Sequence, residues 1–171
     1  MLARHGKLLA GAVVLSAVAA SLTMFAPRSE ASDGPFAGMA GAWSGPGSIT
    51  INNNKERLRC RANYVTKNSD STVDLTISCA SDSYKFHLQG GVNYVNGALN
   101  GSWSESANNA AGTISGSASP GSIRATATGA YFTALLNMTT RGNTQSVSLS
   151  APGTQISSVT ITMARAGAAA R

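Results

Sequence analysis

From Gly41 onward the chain alternates apolar and polar residues with a period of two, the signature of half-buried strands and not of helices. Leu58, Cys60, Ala62 and Tyr64 share one face, and Arg57, Arg59, Arg61 and Asn63 share the other. The next segment sets Val73, Leu75, Ile77 and Cys79 against Thr72, Asp74, Thr76 and Ser78. Between the two lies Lys67-Asn68-Ser69-Asp70-Ser71, a run of turn-forming residues. A hairpin centred near Ser69-Asp70 puts Cys60 opposite Cys79, Ala62 opposite Ile77 and Tyr64 opposite Leu75. One face then becomes continuously apolar. That register places Arg59 opposite Ala80, Arg61 opposite Ser78 and Arg57 opposite Asp82.

Further short strands follow at hairpin spacing. Tyr84, Phe86 and Leu88 alternate with Lys85 and His87 up to Gly90-Gly91, and Val92 to Val95 forms a short strand before the turn dipeptide Asn96-Gly97. Ala98–Glu105, Thr113–Ala118, Ser122–Thr128, Phe132–Thr139, Gln145–Ser150 and Val159–Met163 complete the set. Asn108-Asn109, Pro120-Gly121, Arg141-Gly142-Asn143 and Pro152-Gly153 separate them. Eight to ten strands joined by short turns predict an all-β fold, a single antiparallel meander closed as an up-and-down barrel over residues 41–165. A weak repeat runs through it: Gly97-Ala-Leu-Asn-Gly101-Ser-Trp103-Ser matches Gly112-Thr-Ile-Ser-Gly116-Ser-Ala118-Ser. Small residues at such positions permit the close strand approach that barrel closure needs.

The chain begins differently. Arg4, His5 and Lys7 precede an apolar run from Leu8 to Phe25, followed by the small-x-small sites Ala17-Val18-Ala19 and Ser29-Glu30-Ala31. This order predicts a secretory signal peptide over residues 1–31, with an uncleaved anchor as the alternative. A flexible linker over residues 32–40 and a disordered tail over 166–171 would flank the barrel. Export to the periplasm or the medium follows. An even pair of cysteines in an exported chain reads as one structural disulfide, Cys60–Cys79. Loss of the leader removes Arg4, Lys7 and Arg28 against Glu30, so the net charge of +6 falls to +4. So mild a basicity does not argue for nucleic acid. Short strands, few aromatics and outward Ser and Thr also argue against an integral membrane barrel.

The two tryptophans sit in related settings, Gly41-Ala-Trp43 and Gly101-Ser-Trp103. Gly-x-Trp near the first strand resembles the opening of calycin-type barrels, which implies that Trp43 closes one end of the barrel. Longer motifs resemble a family of small exported alphaproteobacterial proteins: Trp43-Ser-Gly-x-Gly-x-Ile49, Glu56-Arg-Leu-Arg-Cys-Arg-Ala62-x-Tyr64, Cys79-Ala-Ser-Asp-Ser-Tyr84-x-Phe86, Gly101-x-Trp-Ser-Glu105 and Thr140-Arg-Gly-Asn143-x-Gln-Ser-Val147. That likeness implies export and a single domain, and it carries no activity.

Chemistry is sparse. After the leader the chain has one histidine, His87, and six scattered carboxylates, with neither a triad nor metal-ligand spacing. No cofactor, metal or catalytic residue is expected. The arginines at alternate positions 57, 59 and 61 form the one unusual polar cluster, able to hold a carboxylate or phosphate. The expectation is a non-catalytic binding module for a small or anionic ligand or an envelope component. Arg57, Arg59 and Arg61 would supply polar contacts, and Trp43, Trp103, Tyr84 and Phe86 apolar walls. A structural or interaction protein of the envelope, with no ligand cavity, is the alternative.

Overall fold

A computed structural model describes residues 34–167. The predicted signal peptide over residues 1–31, residues 32–33 and the last four positions lie outside the described residues. Ten strands run in chain order: β1 (Gly41–Ile51), β2 (Asn54–Lys67), β3 (Thr72–Ala80), β4 (Lys85–Val95), β5 (Ala98–Glu105), β6 (Ala110–Ser119), β7 (Ser122–Gly129), β8 (Thr133–Arg141), β9 (Thr144–Ser150) and β10 (Ile156–Arg165). Each pairs antiparallel with the next, and β1 pairs with β10 to close the barrel. Closure leaves no strand edge to seek a partner. The ten-stranded meander fits the calycin-like resemblance.

The hairpin register is the one read from the alternation. Cys60 faces Cys79, Ala62 faces Ile77 and Tyr64 faces Leu75. The cysteines are bonded, with Cα atoms 4.2 Å apart, as expected of a directly opposed pair. Asn68, Ser69 and Asp70 all take positive φ to turn the chain. Two local expectations need correction. Gly90-Gly91 does not end a strand, because β4 runs unbroken to Val95. Arg57 has no partner in Asp82: the β2–β3 ladder ends at Arg59 and Ala80, and the chain then bends through Ser81–Ser83. Arg57 lies beside Ser48 of β1 instead.

Glycine allows the closure at several inward positions. A Cβ on Gly45 or Gly47 would run into carbonyl oxygens of β10, one on Gly101 into that of Gly91, and one on Gly116 into that of Arg124. Gly101 and Gly116, matched in the sequence repeat, thus do the same work on adjacent strands. Gly97 and Gly112, also matched, do not: the first makes a turn at φ 90° and the second lies within β6.

Because the strands alternate up and down, the two barrel ends are built from different turns. At the first end, residues 34–40 pack under the barrel with Phe36 and Met39 1% and 2% exposed. This corrects the expectation of a flexible linker up to residue 40. The segment is held by hydrogen bonds from Gly34 N to the Ser69 carbonyl and from Phe36 N to the Asp70 carbonyl. Its two large apolar side chains join the core, and their burial together with the backbone hydrogen bonds offsets the entropy of ordering the segment.

Candidate functional site

Parity along the closed barrel decides which side chains can meet. On β2 the inward positions Leu58, Cys60, Ala62 and Tyr64 are buried, whereas Arg57, Arg59 and Arg61 are exposed on the outer wall. Trp43 and Phe86 border the outer hollows that Arg59 and Arg61 line, but Trp103 and Tyr84 do not, so these residues do not form one pocket. The sequence-predicted site separates into three places.

Trp43 lies at the closed end. Its indole N–H donates to the Met39 carbonyl at 2.7 Å, and the Arg165 guanidinium sits 4.4 Å above the ring. That guanidinium also donates to the Gly38 and Ala40 carbonyls, so one cation stacks on the tryptophan and ties down the plug. Nearby, Tyr64 Oη donates to Gln145 Oε1 at 2.8 Å and Gln145 Nε2 donates to Thr140 Oγ1 at 3.1 Å. Burial raises the Tyr64 phenol far above its ordinary value. All these polar groups are satisfied. This end is a stopper, as the Gly-x-Trp resemblance implied for Trp43.

At the opposite end the Tyr84 and Phe86 rings lie 6.4 Å apart, and Trp103 of β5 packs on a different partner. Here the inward apolar chains Ile51, Ile77, Phe86, Leu136, Leu149 and Ile156 remain partly exposed. Trp103 packs against Phe132 with ring centroids 5.6 Å apart. The tryptophan is 7% exposed, and its indole N–H is buried without a hydrogen-bond partner. A Cβ on Gly112 would run into the Thr128 carbonyl first and would also crowd that nitrogen.

Glu105, on the same strand, is not a free acid at the mouth. Its carboxylate accepts from the N–H groups of His87 (2.7 Å), Ala107 (2.9 Å) and Asn108 (2.8 Å), and from Asn108 Nδ2 at 2.6 Å. Desolvation alone would raise its pKa, but those donors outweigh it and hold the carboxyl below its ordinary value. Desolvation, helped by the Glu105 charge, pushes the Tyr84 phenol up. Glu56 is likewise committed. The Ser83 hydroxyl foremost, then the Ser81 hydroxyl and the Ser83 N–H, lower its pKa. Sequence reasoning singled out neither carboxylate as a turn clamp. The signal available was Glu105 at a strand end, three residues before Asn108.

The third place is the outer wall across β1–β4. Arg59 and Arg61 of β2 and Lys85 and His87 of β4 flank a trough of about 720 Å³, floored by Ser78 and Ala80 of β3. His87 Nδ1 and Ser78 Oγ are 2.6 Å apart, and His87 Nε2 faces Gln89 Nε2 at 3.5 Å. The imidazole therefore has a serine beside it but no carboxylate to orient it. Among the described residues no three of His, Cys, Asp and Glu gather as a metal site requires.

No family model matches the chain, and no curated protein matches it by sequence. Among solved structures, the S-type phycobiliprotein lyase of Guillardia theta is similar, with a TM-score of 0.56 over 78% of this chain and 92% of that one. At 8% identity the likeness is one of fold alone.

Proposed function

We propose that the protein is an exported, non-catalytic binding barrel that takes an apolar ligand through its open end. The observation that carries this reading is the Trp103 indole N–H, buried and unpartnered beside a partly exposed apolar mouth. An orphaned buried donor costs about 1–3 kcal/mol, and a ligand carbonyl or carboxylate placed against it would recover that loss. The stoppered opposite end supports the same reading, since it leaves this end as the way in for a ligand that reaches the inner wall. Kinship of fold with a phycobiliprotein lyase fits a small-molecule ligand. The bonded cysteines fit an oxidising compartment, periplasmic or extracellular. Outward positions are mostly Ser, Thr and Asn, so the barrel wall lacks the apolar band that lipid would demand. The Ser78–His87 pair lacks the third group of a nucleophilic triad, which is why the reading is of binding and not of turnover.

A brominated fatty acid tests this directly, because bromine quenches indole emission only at short range. Quenching that saturates in the parent protein and disappears in Trp103→Phe and Leu136→Arg is the expected result. Undiminished emission, or quenching unchanged in both variants, would reject the mouth as the site. The hollows on the outer wall favour a second role, as an interaction protein of the envelope.

A further inference from the structure

We infer that the outer wall of β2 is a docking strip for a linear acidic polysaccharide, separate from the mouth. Four consecutive outward positions on this strand are basic: Lys55, Arg57, Arg59 and Arg61. Alternate residues on a strand lie about 6–7 Å apart, so the cations form a straight row roughly 20 Å long. Lys85 stands two strands away, about 10 Å to the side at ordinary strand spacing.

Three observations distinguish this row from the solvated charges of an ordinary surface. First, no carboxylate faces it. The paired outward neighbours are Ser44, Pro46, Ser48 and Thr50 on β1, and Ser78 and Ala80 on β3. Of the nearby acids, Glu56 lies on β2 between Lys55 and Arg57 and accepts from Ser83, Glu105 clamps the β5–β6 turn, and Asp82 sits exposed on the β3–β4 turn past the end of the β2–β3 ladder. Second, the one ion pair among the described residues, Lys67 with Asp74, lies beyond the end of the row. Evenly spaced cations with no counter-charge repel one another, and an anion of matching spacing relieves that repulsion.

Third, the wall beside Arg59 and Arg61 carries shallow, open depressions. The trough of about 720 Å³ between Arg59 and Lys85 continues into a second of about 380 Å³. The two share Ser44, Arg61 and Ser78, and the second reaches Asn63 and Thr76. Together they border the Arg59–Arg61 half of the row, with Lys85 across from it and Ser44, Ser78 and Thr76 set among apolar residues.

This shape selects among polyanions. A flat anionic bilayer cannot reach into the depressions. Single-stranded nucleic acid needs a run of outward aromatic platforms for its bases; the residues paired with the row are Ser, Thr, Ala and Pro, and His87 is the one outward-facing aromatic ring in the trough. A polyuronate or similar acidic glycan meets both demands. Its carboxylates suit the arginine forks, and its hydroxyls suit Ser44, Ser48, Ser78 and Thr76.

The test uses alginate oligomers as the probe, with dextran, phosphatidylglycerol vesicles and single-stranded DNA alongside. Alginate should bind, weaken with salt and be lost at least tenfold in the double variant Arg59→Ser/Arg61→Ser. The slope of log affinity against log salt should also fall by about one for each cation removed. A control, Arg124→Ser/Arg141→Ser, removes the same charge from exposed positions elsewhere on the barrel and should bind as the parent does. Circular dichroism melts of both variants confirm that the barrel remains intact. Equal losses in both variants would reduce the effect to net charge and overturn the strip. No alginate binding, or tighter binding to the vesicles or the DNA, would overturn the choice of a glycan. Fatty-acid quenching unchanged in Arg59→Ser/Arg61→Ser would show that the two sites stand or fall separately.

Discussion

Truncating Phe36 tests whether the segment before β1 is part of the barrel. The side chain is 1% exposed and belongs to the main core cluster, together with Met39 and Trp43. Replacement by alanine removes a whole aromatic ring from a site enclosed by strands and held at both ends by backbone hydrogen bonds. Phe→Ala changes at such positions cost about 3–5 kcal/mol, transfer and cavity terms together. Unfolding entropy is about 2.1 cal/mol/K per residue, so for a domain of about 130–140 residues each kcal/mol lowers Tm by roughly 3–4 °C. The expected drop is therefore about 10–18 °C in a thermal melt followed by circular dichroism. Urea unfolding should give an unchanged m-value with a lower midpoint. A drop below about 3 °C would mean that the segment is a dispensable linker, and the stopper argument would fail. Fatty-acid quenching at the other end should survive the substitution below the new Tm, because the mouth is made from different turns.

Two further outcomes follow from the clamps and the glycines. Glu105→Gln leaves one oxygen where two met four donors, and should cost about 1–3 kcal/mol at neutral pH. Because the folded pKa lies below the ordinary 4.5, that contribution is complete above 4.5 and is lost as pH falls through the folded value. The stability gap between parent and variant in urea should therefore close in acid. A gap of equal size at pH 3 and pH 7 would refute the carboxylate's role. Gly116→Ala places a Cβ against the Arg124 carbonyl across a strand pair and should destabilise by several kcal/mol, whereas Gly142→Ala, in a turn with open space, should cost about 1 kcal/mol. Thermal melts of both compare them, and similar costs would mean that strand approach at Gly116 is not limiting.

Much of the fold was legible because its causes are local. Alternation of period two sets strand faces, turn dipeptides set hairpins, and Cys60 with Cys79 selects one register out of those the pattern allows. The Gly-x-Trp setting of Trp43 pointed to the closed end. Other particulars rest on contacts between residues far apart in the chain. Nothing near Arg165 announces that it will stack on Trp43, a partner more than a hundred residues away. Phe36 and Met39 fall in a stretch that reads as a flexible linker until the barrel above them exists. Asp82 was matched to Arg57 by counting along a ladder, but Ser81 and Ser83 bend the chain before the count arrives.

The candidate site divides in the same way. From the order of residues alone came an all-antiparallel barrel stapled by one disulfide, with three arginines on the face opposite Cys60. Strand periodicity is a property of the backbone and needs no third dimension. Which face is the inside, which end is stoppered and which hydrogen-bond donor is left without a partner were decided by closure of β1 onto β10. Only when the sheet returns to its start do inward side chains compete for one volume, and only then does a polar atom become buried or exposed.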